Sequence, residues 1–324
     1  MKYSSLFALP FVLLATPTLA IDSEQLTVYG KLNLAVQIND ENDDSTTELE
    51  SHYSRFGIKG KQAINADWTA VYLLEWQVNI DDDSDDALKG RNQYLGLQGP
   101  IGEVLLGRKD SAFKSSQGKV DRFGDINGDL AGFFASDDRV DESVHYKSPK
   151  WGDAQLSATY VLEGNAKQGN AADDGASKTA YSLAVSYGGS KWKNGEWFAS
   201  AAYNSEMLGI TSYRATVYGQ YENIQLGAMV QRSESDKASD SDDKDGNGYL
   251  LNAAYKMNQW VLKTQYQNAD MALGNKQSEG DVLSVGADYH FNKATSAYIF
   301  SSAFDLDRKE YDENYHGVGL IHLF

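Results

Sequence analysis

The 324-residue sequence contains no cysteine, only four prolines and no strongly apolar run beyond its first 20 residues. The absence of cysteine excludes a disulfide-stabilised scaffold, a cysteine nucleophile and thiolate-ligated metal sites. Basic residues are scarce, with 29 Lys and Arg against 46 Asp and Glu, which argues against nucleic-acid binding because phosphates require a basic surface. The lack of long apolar runs argues against helical membrane spans.

Catalytic and metal-binding motifs are also missing. No histidines stand four residues apart, and neither His-Glu-x-x-His nor Gly-x-Ser-x-Gly is present. The segment Asp243–Gly246 resembles part of a calcium loop, but the twelfth position of that loop is Asn252 instead of glutamate. The sequence therefore predicts no enzyme, no cofactor and no metal site. The five histidines are His52, His145, His290, His316 and His322.

The first 20 residues have the pattern of an export signal. Lys2 supplies a short positive region, residues 6–15 are apolar, and Thr18-Leu19-Ala20 is a small-x-small cleavage sequence. We expect residues 1–20 to be removed and residues 21–324 to form the mature domain. An exported chain without cysteine is typical of a bacterial envelope protein.

Apolar and polar residues alternate along the first mature segment, from Leu26 to Ile38. A period of two indicates a β-strand with one apolar and one polar face. The segment is too long for a typical globular strand and suits a tilted strand that crosses a bilayer. Similar segments recur along the chain, with aromatic residues toward the ends of their apolar faces, as in the interfacial girdles of membrane barrels.

Short turns alternate with long, mostly acidic connections, the longest of which runs from Asp110 to Arg139. This alternation predicts an all-β, 16-stranded antiparallel transmembrane β-barrel, in which residues 39–51 form the first long loop. A soluble sandwich or propeller is less consistent with apolar faces rich in Ala and Gly. The predicted strand centres are near residues 32, 58, 73, 95, 106, 144, 158, 184, 200, 217, 228, 252, 264, 286, 299 and 319.

Four segments resemble the trimeric general porins of Gram-negative outer membranes. They are Val28–Leu32, Ser54–Gly60, Tyr94–Leu97 with the following Gly102–Arg108, and the C-terminal Gly319–Phe324. The resemblance implies a homotrimer with a water-filled pore in each subunit and a constriction loop, at about residues 110–139, that folds inward. It also implies that Phe324 is a C-terminal signal for the barrel-assembly machinery.

In this family, basic residues on the barrel wall face acidic residues on the inward loop. The corresponding wall residues are Lys31, Arg55, Arg91, Arg108 and Arg139, and the loop acids are Asp121, Asp125 and Asp129. Alternation independently places Lys31, Arg55 and Arg91 on the lumen side of their strands. Arg122 stands where the similar loop of enteric porins has Glu, so it could neutralise part of the acidic wall. The alternative is that these charges are solvated and have no special role.

The sequence therefore predicts a general diffusion porin of the bacterial outer membrane, passing small hydrophilic solutes and ions with a weak preference for cations. The expected partners are other copies of the chain, outer-membrane lipid, and lipopolysaccharide reached through divalent cations at the acidic loops. Two alternatives are a substrate-selective channel, for example for oligosaccharides, and a surface adhesin or receptor barrel. A selective channel would need a run of lumen aromatics, whereas most aromatics here follow the apolar face.

Overall fold

A computed structural model describes residues 26–41, 44–82, 88–162, 179–235, 245–271, 273, 279–307 and 313–324. The predicted signal peptide and most of the acidic runs at 81–86 and 236–245 lie outside these residues. The described residues form seventeen β segments, a short helix α1 and one turn of 3-10 helix. The β segments are β1 Leu26–Glu41, β2 Asp44–Ser51, β3 Arg55–Ala63, β4 Thr69–Val78, β5 Leu88–Gly99, β6 Gly102–Asp110, β7 Arg139–Lys147, β8 Ala154–Val161, β9 Ala180–Gly188, β10 Trp197–Met207, β11 Ile210–Tyr221, β12 Ile224–Ser235, β13 Asp245–Met257, β14 Trp260–Asp270, β15 Glu279–His290, β16 Thr295–Leu306 and β17 Glu313–Leu323, while α1 is Ala112–Ser115 and the 3-10 turn is Leu130–Gly132.

The segments pair antiparallel in chain order, and the sheet closes on itself where β1 pairs with β17. Both β2 and β3 pair with β1, β2 along Leu34–Glu41 and β3 along Leu26–Lys31. They therefore form one barrel strand that is interrupted at residues 52–54. The described chain is a closed, 16-stranded antiparallel β-barrel, which confirms the predicted fold class.

The predicted long connection at residues 39–51 is wrong. Strand β1 continues to Glu41 and β2 begins at Asp44, so a hairpin replaces the loop. In this hairpin Thr46 pairs with Asn39 and Thr47 with Ile38. The acidic composition suggested a loop, but the β-branched threonines favour the extended backbone.

Exposure across the wall is the reverse of that in a soluble protein. On β1, Leu32 and Val36 are 40% and 51% exposed, whereas Asn33 and Gln37 are each 1% exposed. Apolar side chains that face outward and polar ones that face inward fit a barrel with lipid outside and water inside. Among the described residues, no helix is long and apolar enough to cross a membrane.

Aromatic side chains form two bands on the outer face, as the sequence predicts. At the end of the barrel that carries the short turns (the turn end), the ring centroids of Trp260 and Tyr289 lie 4.8 Å apart, and those of Tyr289 and Phe291 lie 5.0 Å apart. Toward the opposite end (the loop end), the rings of Tyr203 and Tyr213 lie 5.0 Å apart. Amphipathic rings favour the two water–lipid interfaces.

The C-terminal residue lies across the seam of the barrel. The Gly30 amide donates to the Phe324 carbonyl at 2.9 Å, and the Phe324 amide donates to the Gly30 carbonyl at 3.2 Å. A Cβ on Gly30 would collide with the Phe324 ring, so only glycine leaves room for this ring. The assembly signal at Phe324 stays a prediction.

The apolar core lies inside the barrel, between its wall and the segment 111–138. Val120, Leu130 and Phe134 of this inward loop are fully buried against the inner surface of β10–β15. A second cluster places Phe123 of the loop against β16 and β17. Each such side chain contributes about 1.5–3 kcal/mol when it leaves water, so the loop is held firmly to this side of the lumen. The wall residues of the first cluster are Phe198, Tyr218, Met229, Leu250, Ala269, Met271 and Val282.

Candidate functional site

Two of the predicted acids, Asp121 and Asp129, shape the inward loop itself. Asp121 accepts hydrogen bonds from the amides of Phe123 and Leu130, at 2.8 and 2.9 Å, and from Gln265 at 2.9 Å. Asp129 caps the 3-10 turn by accepting from the Ala131 amide at 2.7 Å. Its other oxygen accepts from the amide of Asp125, also at 2.7 Å. Both carboxylates thus satisfy backbone donors that would otherwise be buried without partners.

Burial also sets the charge on these two acids. Burial, together with the neighbouring Asp129, raises the pKa of Asp121. Burial raises the pKa of Asp129 as well, although its hydrogen bonds to backbone amides oppose the change. The two groups therefore hold a negative charge less readily than free aspartates do.

Asp125 is the predicted acid that reaches the predicted basic wall. Its Oδ2 lies 2.8 Å from Lys31 Nζ and 3.1 Å from Arg55 Nη1. Burial alone would raise its pKa, but these two cations hold the pKa of Asp125 at about 2. The structure therefore brings together residues that are 94 and 70 positions apart in the sequence.

Arg91 pairs with an acid that the sequence reasoning missed. Its Nε lies 3.0 Å from Glu75 Oε1, and the Tyr29 hydroxyl donates to Glu75 Oε2 at 2.8 Å. Arg55 Nε is 4.0 Å from the same carboxylate. Glu75 stands on the polar face of β4, so alternation was a signal that could have found it.

The remaining two predicted cations, Arg139 and Arg108, lie on opposite sides of the barrel wall. Arg139 lines the lumen, with its Nη2 2.9 Å from Asp110 Oδ1 and its Nε 3.3 Å from the side-chain oxygen of Asn92. Arg108 instead pairs with Asp141. It shares the face of β6 that carries the exposed Leu106, which places it on the outer side of the wall, away from the other four.

A buried ionic cluster fixes the far end of the inward loop. Asp137 lies 2.9 Å from Lys114 Nζ and 3.3 Å from Arg214 Nη1. The side chains of Arg214 and Asp137 are 0% and 1% exposed, and the guanidinium of Arg214 lies 4.4 Å from the ring centroid of Phe113. The sequence reasoning did not single out these residues, although Arg214 lies on the polar face of β11.

A cavity of about 430 Å³ remains between the loop and the wall. On its far side Lys263 pairs with Asp288 at 3.0 Å. Charges that oppose each other across a narrow aqueous gap orient water and polar solutes, and make the passage of apolar solutes unfavourable. Six basic and six acidic residues line the cavity, namely Arg91, Lys114, Lys119, Arg122, Arg139 and Lys263 with Asp110, Asp121, Asp125, Asp129, Asp137 and Asp288.

A serine–histidine pair in the wall is held by hydrogen bonds to neighbouring wall groups and lacks the carboxylate of a hydrolase triad. Ser143 Oγ lies 2.8 Å from His145 Nε2, and Thr159 Oγ1 lies 2.9 Å from His145 Nδ1. The Ser143 hydroxyl also donates to the Gly107 carbonyl at 2.7 Å. A hydroxyl takes the place of the carboxylate that orients the base in a hydrolase triad. In the part of the chain that the structure describes, no three His, Asp or Glu side chains form a metal-binding group.

Comparisons with known sequences agree with this geometry. The sequence profile of the family described as Gram-negative porin matches residues 5–309. The major outer membrane protein P.IB of Neisseria meningitidis serogroup B (strain H44/76) is 26% identical over 355 residues, covering 99% of each chain. The major outer membrane protein P.IA of Neisseria meningitidis serogroup C is 27% identical over 342 residues, covering 86% of this chain and 84% of the relative.

Solved structures show the same fold. The anion-selective porin from Comamonas acidovorans superposes with a TM-score of 0.71 at 19% identity, covering 92% of this chain and 99% of that one. The OmpF of Salmonella typhi, in complex with daunomycin, also gives 0.71, at 14% identity with 93% and 98% covered. The family match along nearly the whole chain, the relatives and the closed barrel lead to one conclusion. The chain belongs to the Gram-negative porin family, whose members are channel proteins of the bacterial outer membrane.

Proposed function

We propose that the protein is a general diffusion porin, an open channel through which small hydrophilic solutes and ions cross the outer membrane passively. One observation carries the proposal: the closed barrel encloses a cavity of about 430 Å³ that is lined by opposed charges. Such a lining favours solutes that keep a hydration shell and disfavours apolar ones. The function needs no reaction and no cofactor.

Single-channel recording of the purified protein in planar bilayers tests this function. We expect large, long-lived openings whose conductance rises in proportion to the salt concentration. Liposome swelling with neutral solutes of graded size should then show a smooth decline with molecular size. A rate that depends on the identity of the solute instead would favour the substrate-selective alternative, and an absence of conductance would overturn the proposal.

We further propose that the inward loop, at about residues 110–139, sets the narrowest part of the channel. Apolar burial holds one side of the loop to β10–β17. At its tip, Asp125 meets Lys31 and Arg55 on the opposite wall. Shortening the loop between these anchors should raise single-channel conductance and the size limit together, whereas unchanged values would place the constriction elsewhere.

A weak preference for cations is part of this proposal. The chain carries a net charge of −17, and acidic mouths enrich counter-ions locally. The cavity itself is lined by six basic and six acidic residues, of which Asp121 and Asp129 hold their negative charge less readily, so we assign the preference to the acidic mouths and not to the constriction. Reversal potentials in a salt gradient measure it, and a clear anion preference would overturn it.

We propose that three copies assemble into a homotrimer. The pair of Arg108 and Asp141 on the outer face supports this state, because charges that face lipid are costly and contact with a second subunit would cover them. The OmpT of Vibrio cholerae, solved in a trimer form, has a similar fold with a TM-score of 0.65 at 16% identity. Conductance steps in groups of three would support the trimer, and single steps with a monomer mass in detergent would contradict it.

The remaining partners are proposals of the same kind. Deleting Phe324 should reduce the amount of barrel that the assembly machinery inserts, because this residue closes the seam with Gly30.

Binding of lipopolysaccharide through divalent cations should raise the thermal midpoint of the barrel when magnesium is added. An unchanged midpoint would count against that contact.

A further inference from the structure

The connection between β9 and β10, residues 189–196, reaches into the lumen from the turn end of the barrel. Its base is tied to β11, since the Gly195 amide donates to the Gln220 carbonyl at 2.8 Å. The Glu222 amide donates to the side-chain oxygen of Asn194 at 2.6 Å. These bonds hold the turn in a fixed position although both its ends leave the sheet.

Trp192, within this turn, meets the inward loop. Its indole Nε1 donates to the Lys119 carbonyl at 3.2 Å. Its ring centroid lies 3.6 Å from Cζ of Arg122, which is the distance of a guanidinium stacked on an aromatic face. Thus a loop from one end of the barrel and a turn from the other end meet at Arg122.

Tyr218 of β11 supports this contact from the wall. Its hydroxyl accepts a hydrogen bond from the Lys119 amide at 3.1 Å and donates to the Ser190 carbonyl at 2.9 Å. Its ring lies 4.6 Å from the Trp192 ring and 4.7 Å from the Phe198 ring. One wall residue therefore joins the loop to the turn and backs the indole that carries Arg122.

Arg122 differs from the other buried cations of the cavity. Lys114, Arg139 and Lys263 each contact an aspartate at 2.9–3.0 Å. Among the described residues, no carboxylate lies within ion-pair distance of Arg122, and its Nη2 is buried without a hydrogen-bond partner. Burial lowers the pKa of Arg122 to about 10, so its charge is kept at neutral pH.

We propose that Trp192 is a positioning residue for ion selectivity, because it holds Arg122 as an uncompensated positive charge in the narrow part of the channel. A carboxylate would fix the guanidinium and cancel its charge, whereas an indole face fixes it and leaves the charge in place. The turn at residues 189–196 is thereby a second inward element of the pore. This inference rests on the proposed channel function.

The test is the reversal potential of single channels in a salt gradient. Removing one unit charge near the ion path should change the ratio of cation to anion permeability by about twofold, so Arg122→Gln should raise cation preference by this factor. Trp192→Leu keeps apolar bulk but has no aromatic face, and we expect it to shift the ratio in the same direction. Trp192→Phe keeps a face and should stay near the wild type.

The double variant Trp192→Leu with Arg122→Gln should shift the ratio no further than Arg122→Gln alone, because Trp192 acts only through Arg122. The matched control is Trp151→Leu, since Trp151 lies in another turn of the same barrel end and is 63% exposed. Heat-resistant migration of the assembled protein on gels verifies folding of every variant. Should the Leu variant not fold, Trp192→Met replaces it, since Met also lacks an aromatic face, and a folded Met variant that behaves as Trp151→Leu does would equally overturn the inference.

Two results would overturn the inference. One is a double variant whose permeability ratio differs from that of Arg122→Gln alone, because Trp192 would then act without Arg122. The other is a folded Trp192→Leu whose permeability ratio matches that of Trp151→Leu. A wild type that does not conduct would instead overturn the proposed function. Conduction by the wild type without the predicted shifts leaves that function intact and removes only the role of Trp192.

Discussion

The lumen has two unlike halves, although their outer faces are alike. On β9–β17 the inner surface carries large buried side chains such as Tyr218, Leu250 and Phe300, which pack against the inward loop. On β1–β7 it carries charges, among them Arg55 and Arg91. Membrane contact is common to both halves. The contrast between them therefore comes from how each half contacts the inward loop, by apolar packing on one side and by charged groups on the other.

The two halves act through different forces. Burial of apolar surface is non-directional and is unaffected by moderate salt, so β9–β17 hold the loop in place. Ion pairs act over a short range and are screened by salt, so β1–β7 tune the gap that stays open beside the loop. We expect substitutions in the first half to change stability and those in the second half to change permeation.

Phe134→Ala should give the largest loss of stability in the apolar half. Phe134 is 0% exposed, and truncating a buried Phe costs about 3–5 kcal/mol. Denaturant unfolding of the purified barrel measures this loss, which should be the same at low and high salt. Phe134→Leu is the control and should lose less, because most of the volume is kept. A loss that high salt removes would contradict the division between the halves.

The apolar half also contains ion pairs, namely Lys263 with Asp288 at the cavity and Asp137 with Arg214 in the fully buried interior. Asp137→Ala tests the buried pair. Removing the acid leaves Arg214 buried and unpaired, which costs about 3–5 kcal/mol, and it also deprives Lys114 of its partner carboxylate. Adding Arg214→Met should restore much of the loss, since the remaining buried charge is then removed. Unfolding midpoints of the single and double variants decide the matter. Equal destabilisation by both would contradict this account.

Alternation predicted the barrel, its sixteen strands and the inward side of Lys31 and Arg55, because lipid outside and water inside impose a strict period of two. In the described part of the chain, three β-bulges interrupt this period. They lie at residues 91–92 opposite Glu75, at residues 141–142 opposite Arg108 and at residues 205–206 opposite Thr211. Each bulge adds a residue to one strand and reverses inside and outside beyond it, which alternation alone does not foresee.

The acids of the inward loop show a second limit. Asp121, Asp125 and Asp129 recur at a spacing of four and have the same chemistry, yet only Asp125 contacts the basic wall. The other two accept hydrogen bonds from the loop's own amides. Whether a given acid contacts the wall or bonds to the loop's own amides depends on how the loop backbone folds against the wall. That fold is a property of long-range packing, which spacing in the sequence does not show.

Arg55→Gln should change permeation with little effect on stability, since its ion pairs are partly exposed and such pairs contribute less than about 1 kcal/mol. Loss of this wall cation should raise cation preference by up to about twofold, as measured by reversal potential. The control is Arg232→Gln, the same change of charge on the outer rim, where Arg232 is paired with Glu234. An equal shift in both variants would show that overall charge, and not the wall, sets selectivity.

The smallest expected effect is a pH dependence of the contact at Asp125. When the loop is docked, the pKa of Asp125 is lowered to about 2, whereas a free aspartate has a pKa of about 3.9. A lowered pKa stabilises the docked loop fully above about pH 4, and this stabilisation declines as the pH falls from about 4 to about 2. Open-channel noise should therefore stay constant from neutral pH down to about pH 4 and rise below it. Asp125→Asn should show the raised noise already at neutral pH and no further change in this range. A wild-type rise in noise that begins well above pH 4, or one that persists in Asp125→Asn, would assign the effect to groups other than the contact between the loop tip and the charged half.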